Sequence, residues 1–172
     1  MRRGVRIALD WGDARIGVAA CDPDGVLAYP VTTVRGGAGE IAELVDVVAE
    51  YEPIEVCVGL PRSLSGAEGP AAAKARERAE RLAELVEVPV RLVDERLTTV
   101  TASQRLSESG KSAKEQRQLI DGAAAVAILE QALNFEQSQG APPGELVSAP
   151  GGPVTDGPGL PGGSGQERPL QT

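Results

Sequence analysis

The stretch IALDWGDARIGVAA, residues 7–20, carries the strongest indication of the fold of this chain. Two apolar runs of β type flank a tight turn of glycine and aspartate, which predicts a β-hairpin. The first run is apolar enough to be buried, and it ends in Asp10. A carboxylate at the end of a buried strand has to be paired, hydrogen-bonded or bound to a cation. The interpretation of Asp10 therefore depends on whether other carboxylates come to the same place.

The rest of the pattern predicts alternating strands and helices. Strands are predicted over residues 5–9, 16–21, 26–34, 54–58 and 90–93, and helices follow the third, fourth and fifth of them. The first three strands form an antiparallel meander, whereas the later two arrive through helical crossovers and so lie parallel. A short helix over 99–108 precedes a long one over 113–135. The prediction is an α/β fold with a mixed five-stranded sheet flanked by helices.

Composition changes sharply near the C-terminus. Residues 138–172 contain nine glycines and seven prolines and show no apolar periodicity. Such a segment buries too little surface to offset the entropy of ordering it. We therefore predict one folded domain over residues 1–137 and a disordered tail over residues 138–172.

Charge and residue usage exclude several function classes. The net charge of −8 argues against a general nucleic-acid coat protein, which is usually basic. The absence of histidine excludes histidine zinc sites, Ser-His triads and histidine general bases. Cys21 and Cys57 lie in apolar runs and are predicted to be buried, reduced thiols. With no signal peptide and no membrane-spanning stretch, we expect a cytoplasmic protein with no membrane partner.

Three carboxylate positions are predicted to converge at one edge of the sheet. Asp10 and the pair Asp94-Glu95 follow the carboxyl ends of strands, where open α/β sheets bind ligands. Asp121 lies early in the last helix, on a face whose small alanines permit close approach to the sheet. Three carboxylates without His or Cys suit Mg²⁺ or Mn²⁺. Each alone has a simpler explanation, since Asp10 could cap a turn, Glu95 could pair with an arginine, and Asp121 could be solvated.

Four stretches, taken together and in order, resemble the motifs of the YqgF/RuvX family. They are ALDWGDARIGVA, VGLPRSLSG, DERLTT and IDGAAAVAIL, within residues 5–135. This family comprises nucleases assigned to pre-16S rRNA, also called Holliday-junction-resolvase-like proteins, and belongs to the RNase H-like superfamily. The resemblance implies the sheet order 3-2-1-4-5. It also implies metal-dependent hydrolysis of phosphodiester bonds, in 5′-end processing of pre-16S rRNA during ribosome biogenesis.

The resemblance assigns catalysis and metal binding to Asp10, Glu95 and Asp121. Asp94 competes with Glu95 because neighbours on a strand point to opposite faces. Glu95 is favoured as the ligand and Asp94 as the residue that orients it, and the number of metals stays open. The predicted substrate contacts are Arg15, Gly59, Arg62 and Arg96. The family commonly has a lysine where this chain has Ala14.

Other functions remain open at this point. The same motifs are compatible with a Holliday-junction-resolvase-like DNA endonuclease, or with a non-catalytic nucleic-acid or scaffold protein. An actin-like ATPase also opens with a similar hairpin, but it needs two such domains and this chain is too short. Pre-rRNA is favoured over branched DNA by resemblance alone, since no motif here recognises a 2′-hydroxyl. Monomer and homodimer are both compatible with the sequence.

Overall fold

A computed structural model of the protein describes residues 1–63, 65–95 and 113–147, with the backbone alone over 113–121. The helix predicted over 99–108 and the part of the predicted tail after Val147 lie outside these residues. The described strands are β1 (Arg6–Trp11), β2 (Arg15–Cys21), β3 (Ala28–Arg35), β4 (Glu55–Leu60), β5 (Val90–Asp94) and β6 (Glu145–Leu146). The described helices are α1 (Glu40–Tyr51), α2 (Pro70–Leu85) and α3 (Ala113–Gln139).

The strands form one mixed sheet in the order β3-β2-β1-β4-β5-β6. The pairs β1–β2 and β2–β3 are antiparallel, and the pairs β1–β4 and β4–β5 are parallel. The predicted α/β fold and strand order 3-2-1-4-5 are confirmed. The sixth strand, β6, was not predicted, and it adds antiparallel to β5.

Side-chain alternation along the strands divides the apolar core between the two faces of the sheet. Ile7 and Leu9 of β1 pack with residues of α1 and α2, whereas Ala8 between them belongs to the core beneath α3. The strand residues on the α3 side are small, and they include Ala19 of β2 and Cys57 of β4. Small side chains let α3 lie close to the sheet. By the same alternation, Asp10 faces α3.

Local sequence explains the helix ends. Pro70 occupies the first turn of α2, where a missing N–H costs nothing. Helix α3 ends at Gly140, which has a φ of 66° and donates its N–H to the carbonyl of Glu136. Cys21 and Cys57 are buried free thiols, as predicted. Within the described ranges, none of the helices combines the length and the apolar character needed to cross a membrane.

The folded region extends beyond the boundary predicted at residue 137. Helix α3 continues to Gln139, and β6 pairs with β5 through Arg91 opposite Leu146 and Leu92 opposite Glu145. Val147 donates its N–H to the carbonyl of Val90 and packs against the core. Two residues of strand carry no periodic signal, so only the tertiary pairing reveals β6. The structured part therefore reaches at least Val147.

Candidate active site

Asp10 lies near the carboxyl end of the central strand β1 and is half-buried. Its register partner is Gly17 of the antiparallel neighbour β2. Its chain neighbour Trp11 packs on the opposite face, against the core beneath α1 and α2. Asp10 is thus held by the strand itself, at the sheet edge where the parallel strands β1, β4 and β5 also end.

Glu95 follows β5 directly and lies beside Asp10. Its N–H donates to the carbonyl of Leu60 at the end of β4, at 3.2 Å, which continues the ladder by one residue. Burial and, after it, the negative charges of Asp10 and Asp94 together raise the pKa of Glu95 to about 7. Asp10 and Glu95 are therefore close enough for the charge of Asp10 to disfavour ionisation of Glu95, and we call them the acidic pair.

Asp94 lies on the opposite face of the sheet. Its Oδ2 is 3.9 Å from Nη1 of Arg62, and its backbone carbonyl accepts a hydrogen bond from the Gln131 side chain at 2.7 Å. Because β5 places successive side chains on alternate faces, Glu95 and not Asp94 shares the α3 side with Asp10. Glu95 therefore lies on the Asp10 face of the sheet, and its role as a ligand stays a prediction.

The third predicted carboxylate stands on α3, whose backbone carries position 121 two turns before Ile128. The Asp121 side chain lies outside the described residues. Among the side chains that the structure does describe, no group of three His, Cys, Asp or Glu is placed to hold a metal ion. The described pair nevertheless suits a hard divalent cation, because both donors are carboxylates and a cation would offset their mutual repulsion.

Gly59 of β4 creates the space that Glu95 occupies. A Cβ atom at this position would lie 2.5 Å from Oε2 of Glu95 and 2.6 Å from Cδ1 of Ile128. Gly59 is itself buried. Glu95 and Ile128 fill the space beside Gly59 on the α3 side of the sheet, and the contact of Gly59 with substrate stays a prediction.

The predicted arginine contacts have different surroundings. Arg15 begins β2 on the same face as Asp10, two residues before the register partner of Asp10. The guanidinium of Arg62 lies 3.9 Å from both Asp94 and Glu68, and no described acceptor reaches its buried Nε. Arg62 therefore belongs to an ion cluster behind the acidic pair. Arg96 lies outside the described residues.

Sequence reasoning missed a basic group on the other face of the hairpin. Lys74 and Arg78 of α2 lie 3.3 Å and 3.5 Å from Oδ1 of Asp13 in the turn after β1. The Arg78 guanidinium also stands over the ring of Trp11, at 5.8 Å from its centroid, a cation–π contact. The spacing of four residues between Lys74 and Arg78 predicts that both lie on one face of a helix. Nothing in the sequence indicates that this face contacts the hairpin.

Comparison with known proteins gives one family match. The model of the family described as "RuvX: Holliday junction resolvase" matches residues 4–135. A relative from Streptomyces coelicolor, described as "Putative pre-16S rRNA nuclease", is 64% identical over 150 residues, covering 86% of this chain and 90% of the relative. A relative from Thermobifida fusca with the same description is 53% identical over 155 residues, covering 86% and 98%.

Two solved structures share the fold at low sequence identity. The Thermus thermophilus RuvC structure matches with a TM-score of 0.51 and 20% identity, covering 81% of this chain and 99% of that one. T. thermophilus RuvC in complex with a Holliday junction substrate matches with a TM-score of 0.52 and 16% identity, covering 81% and 98%. At these identities the likeness concerns the fold alone.

Proposed function

This chain belongs to the RuvX family, and we propose that it is a divalent-metal-dependent nuclease that trims the 5′ end of pre-16S rRNA in the cytoplasm. One observation carries the proposal. Glu95 lies on the Asp10 face of the sheet at the carboxyl end of the central strands, where burial and the charges of Asp10 and Asp94 raise its pKa to about 7. A purely structural acidic residue is normally paired in a way that lowers its pKa, as Glu136 is elsewhere in this protein.

The residues that would hold the cation are Asp10, Glu95 and Asp121. A divalent cation bound there supplies a Lewis acid for the phosphodiester and lowers the pKa of an attacking water. The rigid backbone of β1 fixes Asp10, and the hydrogen bond from Glu95 N–H to Leu60 fixes the residue beside it. The cation also supplies the local positive charge by which a protein of net charge −8 attracts a polyanion.

RNA is favoured as the substrate by the descriptions of relatives that are more than half identical to this chain. The family description points instead to a branched DNA junction. Both substrates need the same hydrolysis, so the acidic site does not distinguish them. A third reading, a scaffold that binds nucleic acid without cleaving it, is disfavoured by the close placement of Asp10 and Glu95, which is costly without a cation.

The test is metal-dependent cleavage by the purified full-length protein. Wild-type protein should trim a pre-16S rRNA fragment with Mg²⁺ or Mn²⁺ and lose this activity in EDTA. Asp10→Asn should abolish cleavage, and Glu95→Gln should lower its rate by orders of magnitude. Both variants should be at least as stable to heat as the wild type in EDTA, since each removes one of two repelling charges.

Asp94→Asn is the matched control, because it removes a carboxylate next to Glu95 from the other face of the sheet. If Asp94 orients Glu95, the Asp94→Asn variant should cleave about 10–100-fold more slowly than the wild type, a smaller loss than that of Glu95→Gln. Wild-type rates in Asp10→Asn would contradict the proposed site. Cleavage of four-way DNA junctions but not of the RNA would assign the DNA substrate instead. Tight binding with no cleavage under either metal would favour the scaffold.

A further inference from the structure

Two arginines stand directly opposite each other at the end of the sheet that carries Asp10. Arg15 opens β2 and Arg35 closes β3, and the two are register partners in the antiparallel pair. Residues opposite each other in such a pair project to the same face, with Cβ atoms about 4.5–5.5 Å apart. Arg35 is exposed on the edge strand, and Arg15 is half-buried. The sheet thus presents two cationic side chains side by side.

The face they share is the face of Asp10. Asp10 is the register partner of Gly17, and Arg15 lies two residues before Gly17 on β2. Diagonal neighbours of this kind are about 7–8 Å apart on one face of a sheet. Val34, the neighbour of Arg35, is buried in the core beneath α1 and α2, which places Arg35 on the α3 side. Asp10, Arg15 and Arg35 therefore form a row across three adjacent strands.

The pairing of Arg15 with Arg35 is not itself a stabilising contact between β2 and β3. Like charges directly opposite each other destabilise a strand pair. None of the described carboxylates forms an ion pair with Arg35, whereas the arginines at the other end of the sheet are paired with glutamates. An anion from outside the chain is the natural partner for an exposed arginine in this position, and Arg binds phosphate oxygens in a bidentate manner.

We propose that Arg35, beside Arg15, binds a phosphate of the substrate next to the one that is cleaved. The row from Asp10 to Arg35 is then the path by which one strand of nucleic acid leaves the acidic site toward the β3 edge. This inference rests on the proposed nuclease function and assigns a substrate-positioning role to a residue outside the four motifs. Its contact is with the sugar–phosphate backbone and is independent of base sequence.

The test measures binding of a fluorescein-labelled single-stranded RNA oligonucleotide by anisotropy, in Ca²⁺ and over a range of KCl concentrations. Arg35→Gln should weaken binding several-fold at low salt and reduce the slope of log Kd against log[KCl] by about 0.7, the value of one lost phosphate contact to a single strand. Arg35→Lys should keep the slope. The control Arg81→Gln, at an exposed arginine of α2, should match the wild type.

A second readout separates a binding role from a structural one. Arg35→Gln should melt at the wild-type temperature or above it, because the change relieves repulsion with Arg15. If Arg35→Gln binds RNA with the affinity and salt slope of Arg81→Gln while the wild type cleaves RNA, this inference is overturned and the nuclease proposal stands. If the wild type cleaves neither RNA nor DNA with Mg²⁺ or Mn²⁺, the proposed function is wrong, and this inference is wrong as well because it rests on that function.

Discussion

Gly59 shows how one missing side chain positions a functional one. The carboxylate of Glu95 and the tip of Ile128 lie where a Cβ of residue 59 would be. Any larger residue must displace at least one of them, and the buried strand β4 leaves the backbone little room to move. The glycine thus links the packing of α3 on the sheet to the position of the acidic pair.

Gly59→Ala should therefore damage activity and stability together. Overpacking of this kind costs about 1–3 kcal/mol of unfolding free energy, and a displaced Glu95 should lower kcat of metal-dependent cleavage. Adding Ile128→Val removes the Cδ1 contact and should restore part of the stability without restoring activity. The control Gly39→Ala, with open space around the added Cβ at the N-cap of α1, should keep full activity and lose at most about 1 kcal/mol of stability. Full activity in Gly59→Ala would show that Glu95 tolerates displacement.

Of the candidate site, the sequence predicts the alternation of Asp94 and Glu95 but not what surrounds them. Alternation along β5 was enough to say that only one of Asp94 and Glu95 faces Asp10, because period two is a local property of a strand. Which of the two it is depended on the resemblance to a family. The role of Gly59 and the Arg15–Arg35 pairing depend on register and on the approach of α3, and neither is encoded in a short window of sequence.

At the scale of elements, β6 changes the meaning of the C-terminal segment. Beyond its backbone pairing with β5, β6 is held to α2 by Arg76. The Arg76 guanidinium donates through Nη1 and Nη2 to Glu145 of β6, and through Nε and Nη2 to Glu68, at 2.6–3.2 Å. Five strands could be predicted because each has an apolar run. The sixth is a short, exposed strand whose stability comes from its neighbours, so composition alone assigned it to the tail.

Two truncations distinguish the strand from the segment beyond it. Deleting residues 148–172 should leave the melting temperature and the cleavage rate unchanged, since a Gly/Pro-rich segment contributes little packing. Deleting residues 138–172 also removes β6 and Val147, and it should lower the melting temperature by several degrees, at about 2–4 °C for each kcal/mol lost. Differential scanning calorimetry of the two proteins checks this. Equal melting temperatures would mean that β6 adds no stability.

Across the molecule, carboxylates at the two ends of the sheet have opposite electrostatic surroundings. At the end away from Asp10, Glu136 of α3 accepts hydrogen bonds from Arg2 at 2.8 Å and Arg6 at 3.0 Å. Glu55, fully buried at the start of β4, accepts from Arg2 and Arg91. Oppositely charged partners stabilise these carboxylates, whereas the carboxylate of Glu95 lies among like charges. The ion pairs of Glu136 and Glu55 hold the N-terminus, the sheet and α3 together. The like charges around Glu95 favour binding of a cation.

The arginine-bound end predicts how the protein responds to acid. Burial opposes ionisation of Glu136, but hydrogen bonds from Arg2 and the charges of Arg6 and Arg2 outweigh it and lower the pKa to about 2. Because this pKa lies below the ordinary glutamate value of 4.5, the stabilisation from Glu136 is complete above pH 4.5 and is lost as the pH falls toward 2. Urea denaturation across this range should show the loss.

Glu136→Gln should remove that stabilisation at neutral pH. Losing one partner of a buried ion pair costs about 3–5 kcal/mol, because Arg6 would keep its charge with less compensation. The difference in unfolding free energy from the wild type should be largest at pH 7 and should shrink between pH 4.5 and 2, where the wild-type carboxylate also becomes neutral.

The control Glu84→Gln, at an exposed position of α2, should have the unfolding free energy of the wild type at every pH. A difference that stays constant down to pH 2 would show that Glu136 acts through packing and not through its charge. Cleavage by the folded variant should be unchanged at neutral pH, since this network lies at the opposite end of β1 from Asp10.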